Sequence, residues 1–199
     1  MNKTNLVFTL LAALTLTACG GGSTSDTAAP SKLASYVGNW KSDCDFDIVY
    51  SVNMRENTAV RDSVIYTYKK EHYRDESCAG AIIATETVNA EVTVIHTGTA
   101  DASVVFTEGA PGVMTRIDLV TLSLPAYTVT VSGPHVTFST LEGQPAWCVK
   151  FYPGELCRSY SPSGPAESDF TGGMHVSGNK MYMLGPNGAT YIAQAFSRV

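Results

Sequence analysis

Polar and apolar residues alternate over long stretches of this chain, with the period of two that is typical of β-strands. Over residues 40–54 most even positions are apolar and most odd positions are polar. The same alternation recurs over residues 64–68 and 82–94. A strand with one buried face produces this pattern, because successive side chains point to opposite faces of a sheet. We therefore expect one strand over each of these three runs.

Shorter apolar runs predict the remaining strands. They cover residues 113–124, 127–131, 136–140, 147–152, 180–184 and 191–199. Clusters of Gly, Pro, Ser and Asn, which favour tight turns, separate them at residues 109–112, 132–134, 153–154 and 185–188. No segment beyond the N-terminal region shows a sustained helical period. Many short strands indicate an all-β, antiparallel domain of about eight to ten strands, either a barrel or a sandwich.

The first eighteen residues have the composition of a signal peptide. Lys3 supplies one positive charge, and residues 6–16 are almost wholly apolar. That run is too short to span a bilayer, which takes about 20 apolar residues. The sequence Leu16-Thr17-Ala18-Cys19 resembles the bacterial lipobox. The resemblance implies cleavage before Cys19 and lipid attached to its thiol, so we expect the membrane to be a partner through this anchor.

A flexible linker is expected after the anchor, because residues 19–33 are rich in Gly, Ser, Thr and Ala. The chain is thereby divided into a signal peptide at 1–18, a lipid-anchored linker at 19–33 and an all-β domain at 34–199. In lipoproteins with enteric-type sorting, an aspartate after the cysteine signals retention in the inner membrane. Gly20 and Gly21 stand there instead, which favours the outer membrane as the location.

Four cysteines remain, and an even number in an exported chain favours two disulfides. Three pairings are possible. Cys148 and Cys157 flank a Pro-Gly turn, and a four-residue hairpin loop over 151–154 places them directly opposite each other. The second bridge then joins Cys44 to Cys78. A metal site is disfavoured, since the cysteines and histidines lack the spacing of metal ligands.

The entry to the first strand reads Gly38-Asn39-Trp40, which resembles the start of lipocalin-like β-barrels. In that superfamily the glycine relieves crowding at the barrel entry, the tryptophan plugs the closed end, and an arginine crosses the tryptophan. The resemblance implies a closed antiparallel barrel whose last strand pairs with its first, with Arg198 or Arg158 as the arginine. A β-sandwich remains the alternative, because a Gly-x-Trp sequence also occurs where any tryptophan opens a strand.

Charge and motifs narrow the function. The net charge is −5, and no run of basic residues is present, so nucleic acid is not expected as a partner. The chain contains no Gly-x-Ser-x-Gly elbow, no phosphate-binding glycine loop and no His-Glu-x-x-His motif. We therefore expect neither an enzyme nor a bound cofactor or metal.

Three aspartates at positions 43, 45 and 47 have the spacing that opens a calcium-binding loop. The glycine that such a loop needs is replaced by Ile48, and Met54 stands in place of its bidentate glutamate. We interpret the aspartates instead as the solvent face of a strand whose other face carries Trp40, Cys44 and Phe46.

Aromatic residues at predicted inward positions form the candidate ligand site. They are Tyr50, Tyr66, Tyr68, Tyr127 and Trp147, and His96 lies in phase with an apolar face that also carries Glu86. Inward polar groups suit a cavity for a partly polar ligand, whereas core packing is the ordinary role of buried aromatic rings. Two functions therefore stay open. One is a lipid-anchored envelope lipoprotein that binds a small apolar or amphipathic ligand, and the other is a structural or protein-interaction lipoprotein of the envelope without a ligand.

Overall fold

The computed structural model describes residues 30–151 and 154–199, and this part of the chain is almost entirely β-strand. A short 3-10 helix, Ala34–Tyr36, precedes the first strand. The strands are β1 (Gly38–Ser42), β2 (Ile48–Glu56), β3 (Ser63–Tyr73), β4 (Ile82–Val88), β5 (Val92–Val105), β6 (Val113–Leu124), β7 (Tyr127–Ser132), β8 (Val136–Leu141), β9 (Gln144–Phe151), β10 (Gly154–Ser159), β11 (Ser163–Gly164), β12 (Glu167–Ser177), β13 (Lys180–Asn187) and β14 (Thr190–Arg198). In the described part of the chain, no helix has both the length and the apolar composition that crossing a membrane requires. The lipobox and the linker up to residue 29 lie outside the described residues.

Two of the expected strands are each split in two. The run at 40–54 is broken between β1 and β2, where Phe46 has a left-handed φ of 56° and Asp45 bridges Ile48 across a turn. The run at 82–94 is broken between β4 and β5. β12 was not predicted, because Gly172 and Gly173 interrupt its alternation. The described residues therefore form fourteen strands rather than eight to ten.

Most strands belong to one large, mainly antiparallel sheet that is partly closed into a ring. The order β3-β2-β1-β14-β13-β12-β6-β5 returns to β3, because the first part of β5 pairs with residues 63–66 of β3. The first and last strands are neighbours, with Trp40 opposite Arg198. A short parallel pair joins the end of β5 to β14. The second half of β3 pairs with β4 instead, and β7 and β11 extend the sheet beyond it.

Strands β8, β9 and β10 form a smaller antiparallel sheet, and its Trp147 and Val149 pack against Ala84 and Val131 of the large sheet. Cys148 lies opposite Cys157 in the hairpin of β9 and β10, and the two are joined by a disulfide. Phe151 already pairs with Gly154, so the connection is residues 152–153 and not the four-residue loop that was expected.

The second disulfide joins Cys44 to Cys78. It ties the turn between β1 and β2 to the loop between β3 and β4. Both bridges therefore follow the pairing that the hairpin argument favoured. The Cys148–Cys157 bridge joins the two strands of the β9–β10 hairpin, and the Cys44–Cys78 bridge joins two connections of the large sheet. Neither bridge belongs to the largest buried cluster described below.

The interior of the ring is filled at one end by apolar side chains from every strand of the ring and from the segment that precedes it. The buried cluster consists of Leu33, Tyr36, Trp40, Val52, Met54, Val64, Val94, Val120, Met174, Met181 and Phe196. Leu33 is completely buried, so the packed domain begins just before residue 34. A separate buried cluster of Val104, Ile117 and Leu184 lies where the end of β5 also pairs with β14.

Candidate functional site

The other end of the ring is not filled and contains an open cavity of about 330 Å³, here called the ring cavity. Tyr50 of β2 and Tyr66 and Tyr68 of β3 form one wall, at the alternate positions that the sequence predicted to face inward. The rest of the lining is supplied by Val52, Val92, Leu122, Leu124, Glu167, Phe170, Met183, Gln194 and Phe196. The cavity is thus mainly apolar, with phenol hydroxyls on one side.

Two tyrosines of this wall, Tyr66 and Tyr68, have raised pKa values and are neutral at ordinary pH. The rings of Tyr66 and Tyr68 are tilted against each other with centroids 6.3 Å apart. Burial, together with the neighbouring phenol of Tyr68, raises the pKa of Tyr66 to about 12. Burial also raises the pKa of Tyr68, and the nearby phenols of Tyr127 and Tyr50 and the carboxylates of Glu167 and Glu86 add to the effect.

A further open volume of about 410 Å³ continues from the ring cavity along β12, β13 and β14. The two volumes share Tyr66, Leu122, Phe170, Met183 and Gln194. The side chains of Phe170 and Ile192, which line this further volume, are more than half exposed. An apolar group longer than the ring cavity can therefore extend into the adjoining space.

The filled end is closed around Trp40, whose side chain is completely buried. Its Nε1 donates a hydrogen bond to the Tyr36 carbonyl at 2.7 Å. The Arg198 guanidinium lies 4.3 Å from the centroid of the Trp40 ring and donates to the carbonyls of Val37 and Ser35. Of the two arginines considered from the sequence, Arg198 is the one that crosses the tryptophan.

Gly38 is required at this closed end for two reasons. Its φ of 143° is one that residues with a side chain rarely adopt. A Cβ at this position would also lie 2.9 Å from Nη1 of Arg198. The glycine therefore allows the arginine to reach both the chain entry and the face of Trp40.

A second cavity of about 480 Å³ lies between the large sheet and the smaller one, and is here called the intersheet cleft. The inward face of β3 continues from the ring cavity into this cleft through Tyr68, Lys70 and His72. Tyr68 borders both cavities. Tyr127 lines the cleft from β7, and Arg158 lines it from β10.

Glu86 is a buried carboxylate at the base of the intersheet cleft. Its Oε1 accepts a hydrogen bond from Trp147 Nε1 at 2.8 Å and lies 3.2 Å from His72 Nε2. Lys70 Nζ is 3.7 Å from Oε2. Burial alone raises the pKa of Glu86, but the contacts with His72, Trp147 and Lys70 outweigh it and hold the pKa below its ordinary value. Glu86 is therefore an ionised acceptor.

Asp47 does not lie on the solvent face of a strand, as the sequence had suggested. It is buried, and both carboxylate oxygens are 2.6 Å from Nη2 of Arg158. Phe46, expected on the buried face, is instead 75% exposed. Phe46 and Asp47 form a left-handed turn outside both strands, so the alternation does not apply to them; from β2 onward the even-numbered residues again face inward, as expected.

His96 and Trp147, two of the predicted ligand residues, line neither of these two cavities among the described residues. His96 Nε2 lies 3.3 Å from Asp118, which also accepts a 2.6 Å hydrogen bond from the Tyr36 hydroxyl. Burial, this hydrogen bond and the charge of Asp118 raise the pKa of Tyr36 well above its usual range. Trp147 is completely buried beneath the cleft and meets His72 edge-on.

The structure thus brings Tyr50, Tyr66 and Tyr68 to one cavity and Tyr68 and Tyr127 to the other. Sequence reasoning missed Lys70, His72 and Arg158. Lys70 and His72 continue the even-numbered phase of Tyr66 and Tyr68, and that phase was a usable signal for both. Nothing local marked Arg158, which reaches the cleft from a different sheet.

No protein-family model, no curated protein and no solved structure matches this chain. The function is therefore inferred from the two cavities and the residues around them.

Proposed function

We propose that this protein is a lipid-anchored lipoprotein of the bacterial envelope whose β-domain binds a small apolar or amphipathic ligand in the ring cavity. The observation that carries the proposal is an open volume of about 330 Å³ walled by Tyr50, Tyr66 and Tyr68. Sites for small molecules have volumes of roughly 300–1,000 Å³ and combine an apolar lining with a few polar groups. The ring cavity has this size and this composition.

The proposal includes a lipocalin-like closed β-barrel. Four features support it at one place in the molecule. The first and last strands pair, Gly38 makes room at the chain entry, Trp40 is buried behind it, and Arg198 crosses the tryptophan. These are the traits that the sequence resemblance implied. In such a barrel one end is closed by packing and the other admits the ligand.

The anchor in this proposal depends on the lipobox. We expect Cys19→Ser to abolish lipid attachment, because a serine hydroxyl cannot form the thioether to the lipid. Metabolic labelling with a fatty-acid analogue measures this, and Cys44→Ser is the matched control that should retain the label. Equal labelling of the Cys19→Ser variant and the unaltered chain would contradict the anchor. Fractionation of labelled cells then tests the expected outer-membrane location.

The ligand part of the proposal is tested by titration calorimetry with monododecanoyl glycerol, an uncharged single-chain amphiphile. The protein is the mature chain without its lipidated cysteine. Both disulfides and all three buried clusters consist of described residues after position 29, so the packing described above makes no use of the lipidated cysteine. We expect saturable binding at a single site, with a negative heat-capacity change from burial of apolar surface.

Two tryptophan substitutions on β6 locate the site. Leu122→Trp fills the ring cavity and should abolish binding. Val113→Trp lies on the same strand at a position that is 56% exposed and should leave binding unchanged. Unaltered binding by a folded Leu122→Trp protein would place the ligand elsewhere, and no binding by the unaltered chain would refute the ligand proposal.

A protein-interaction lipoprotein without a ligand is the second candidate function, and one observation favours it. β8 is an edge of the smaller sheet among the described residues, and its Phe138 and Leu141 are exposed. An exposed apolar edge strand is a template for pairing with another chain. On this candidate, Phe138→Lys should change the envelope proteins cross-linked to the anchored protein and leave the titration with monododecanoyl glycerol unchanged.

A further inference from the structure

The intersheet cleft contains buried polar nitrogens that have no hydrogen-bond partner within the described residues. They include Nε of Arg158 and Nδ1 of His72, and the His72 side chain is only 3% exposed. His72 Nε2 is close to Glu86 but lacks the alignment of a hydrogen bond. Buried polar groups in folded proteins are almost always paired. These nitrogens are themselves shielded from solvent, but their side chains line the cleft, so the cleft is where a partner would lie.

Three of the four carboxylate oxygens in and beside the cleft are already hydrogen-bonded, whereas cationic donors remain. Both oxygens of Asp47 are held by Arg158, and Oε1 of Glu86 is held by Trp147. Lys70 Nζ lies 3.7 Å from Glu86, beyond hydrogen-bond distance, so its three donors stay available. A group that accepts hydrogen bonds from these cationic donors, as an anion does, would therefore satisfy them.

We propose that the intersheet cleft binds an oxyanion, a carboxylate, phosphate or sulfate group, between Lys70, His72 and Arg158. Arginine suits such groups because its planar guanidinium donates several hydrogen bonds in a fixed geometry. Lysine adds a mobile charge, and His72 Nδ1 donates whenever it carries the proton. The oxyanion displaces none of the existing pairs, since Asp47 and Glu86 keep the contacts described above.

The oxyanion has two possible sources, which share this chemistry. One is a free small anion. The other is the head group of an amphiphile whose apolar chain lies in the ring cavity, because Tyr68 borders both spaces. The second source depends on the function proposed above, whereas the first does not.

Titration calorimetry on the mature chain with four probes separates these cases. The probes are inorganic phosphate, dodecanoate, monododecanoyl glycerol and dodecyltrimethylammonium. The last three have the same chain length and differ in the charge of the head group. We expect dodecanoate to bind about tenfold or more tightly than either of the other two, because charge-assisted hydrogen bonds form only with its carboxylate.

Lys70→Gln and Lys69→Gln form a matched pair of variants. The two lysines are adjacent on β3 and each is near a carboxylate, but Lys69 pairs with Glu71 and does not line the cleft. Lys70→Gln should weaken dodecanoate or phosphate binding about tenfold and leave monododecanoyl glycerol unaffected. Lys69→Gln should change each affinity by less than about twofold. Arg158→Lys, which keeps a cation beside Asp47, replaces Lys70→Gln if that variant does not fold.

The outcomes assign the source or overturn the proposal. Phosphate binding that depends on Lys70 identifies a free oxyanion, and it does so even if no chain probe binds and the ring-cavity proposal fails. Dodecanoate binding that depends on Lys70, without phosphate binding, identifies a head group.

Equal affinities for dodecanoate and monododecanoyl glycerol, insensitive to Lys70→Gln, overturn the oxyanion site and leave the ring cavity as a ligand site. Tighter binding of dodecyltrimethylammonium, or equal losses in the two lysine variants, also overturns it, and no binding by any probe refutes both proposals.

Discussion

At the filled end of the ring, Trp40, Met54 and Met181 are almost completely buried, whereas at the open end Tyr50 and Tyr66 remain partly exposed around a cavity. Strands such as β2 contribute side chains to both ends, and at both ends these side chains follow the same alternation of inward and outward positions. The two ends differ because the segment before β1 inserts Leu33 and Tyr36 into one end only. Alternation thus determines which side chains face inward, and a separate segment determines whether that interior is filled.

Hydrogen bonding differs between the two ends in the same way. The Tyr36 hydroxyl at the filled end is bonded to Asp118. At the open end, the hydroxyls of Tyr50, Tyr66 and Tyr68 form no hydrogen bond with any described residue. A packed core needs its polar groups satisfied internally, whereas a ligand site keeps some available. This difference supports the proposal that the open end binds a ligand.

The largest effect is expected from Trp40→Ala. Removing so large a buried ring should lower the free energy of unfolding by roughly 3–5 kcal/mol, because a cavity is left in a packed site. Phe170→Ala at the open rim, where the ring is 58% exposed, should change it by less than about 1 kcal/mol. Chemical denaturation under oxidising conditions measures both. A loss below about 1 kcal/mol at Trp40 would remove the distinction between the two ends.

A smaller effect is expected from Gly38→Ala. The new Cβ would be strained at a φ of 143° and would press on Arg198, which should cost about 1–3 kcal/mol. Gly185→Ala is the control near the open end, since no atom lies within 4 Å of a Cβ there. Equal stabilities of the two variants, measured by denaturant unfolding, would show that the contact with Arg198 contributes nothing to the closed end.

The smallest effect concerns ionisation of Tyr66. Its pKa is raised by burial to about 12, whereas an unfolded tyrosine ionises near pH 10. A raised folded-state pKa contributes stability that is fully present below about pH 10 and is lost as pH rises towards 12. Tyr66→Phe should therefore flatten the fall in unfolding free energy over this window. A Tyr66 phenolate signal that appears near pH 10 in the folded protein would contradict the burial of this wall.

Much of the fold could be predicted from the sequence because its information is local. The even-numbered phase of β3 predicted that Tyr66 and Tyr68 face inward, since a strand alternates with a period of two. The Pro-Gly turn predicted that Cys148 faces Cys157. The same reasoning failed at Phe46 and Asp47, which lie in a left-handed turn and not in a strand, so the alternation could not place their side chains.

The sequence by itself thus determined the all-β character, most strand positions, the disulfide pairing and the tyrosine wall. Each of these depends on residues that are near in the chain or on a regular period. Only the tertiary structure decided which end of the ring is filled, that Lys70 and Arg158 line one cleft, and that Arg158 pairs with Asp47. Lys70 and Arg158 lie on different sheets, and Arg158 is 111 positions from Asp47 in the chain. Their meeting depends on how one sheet packs against the other, which no local pattern encodes.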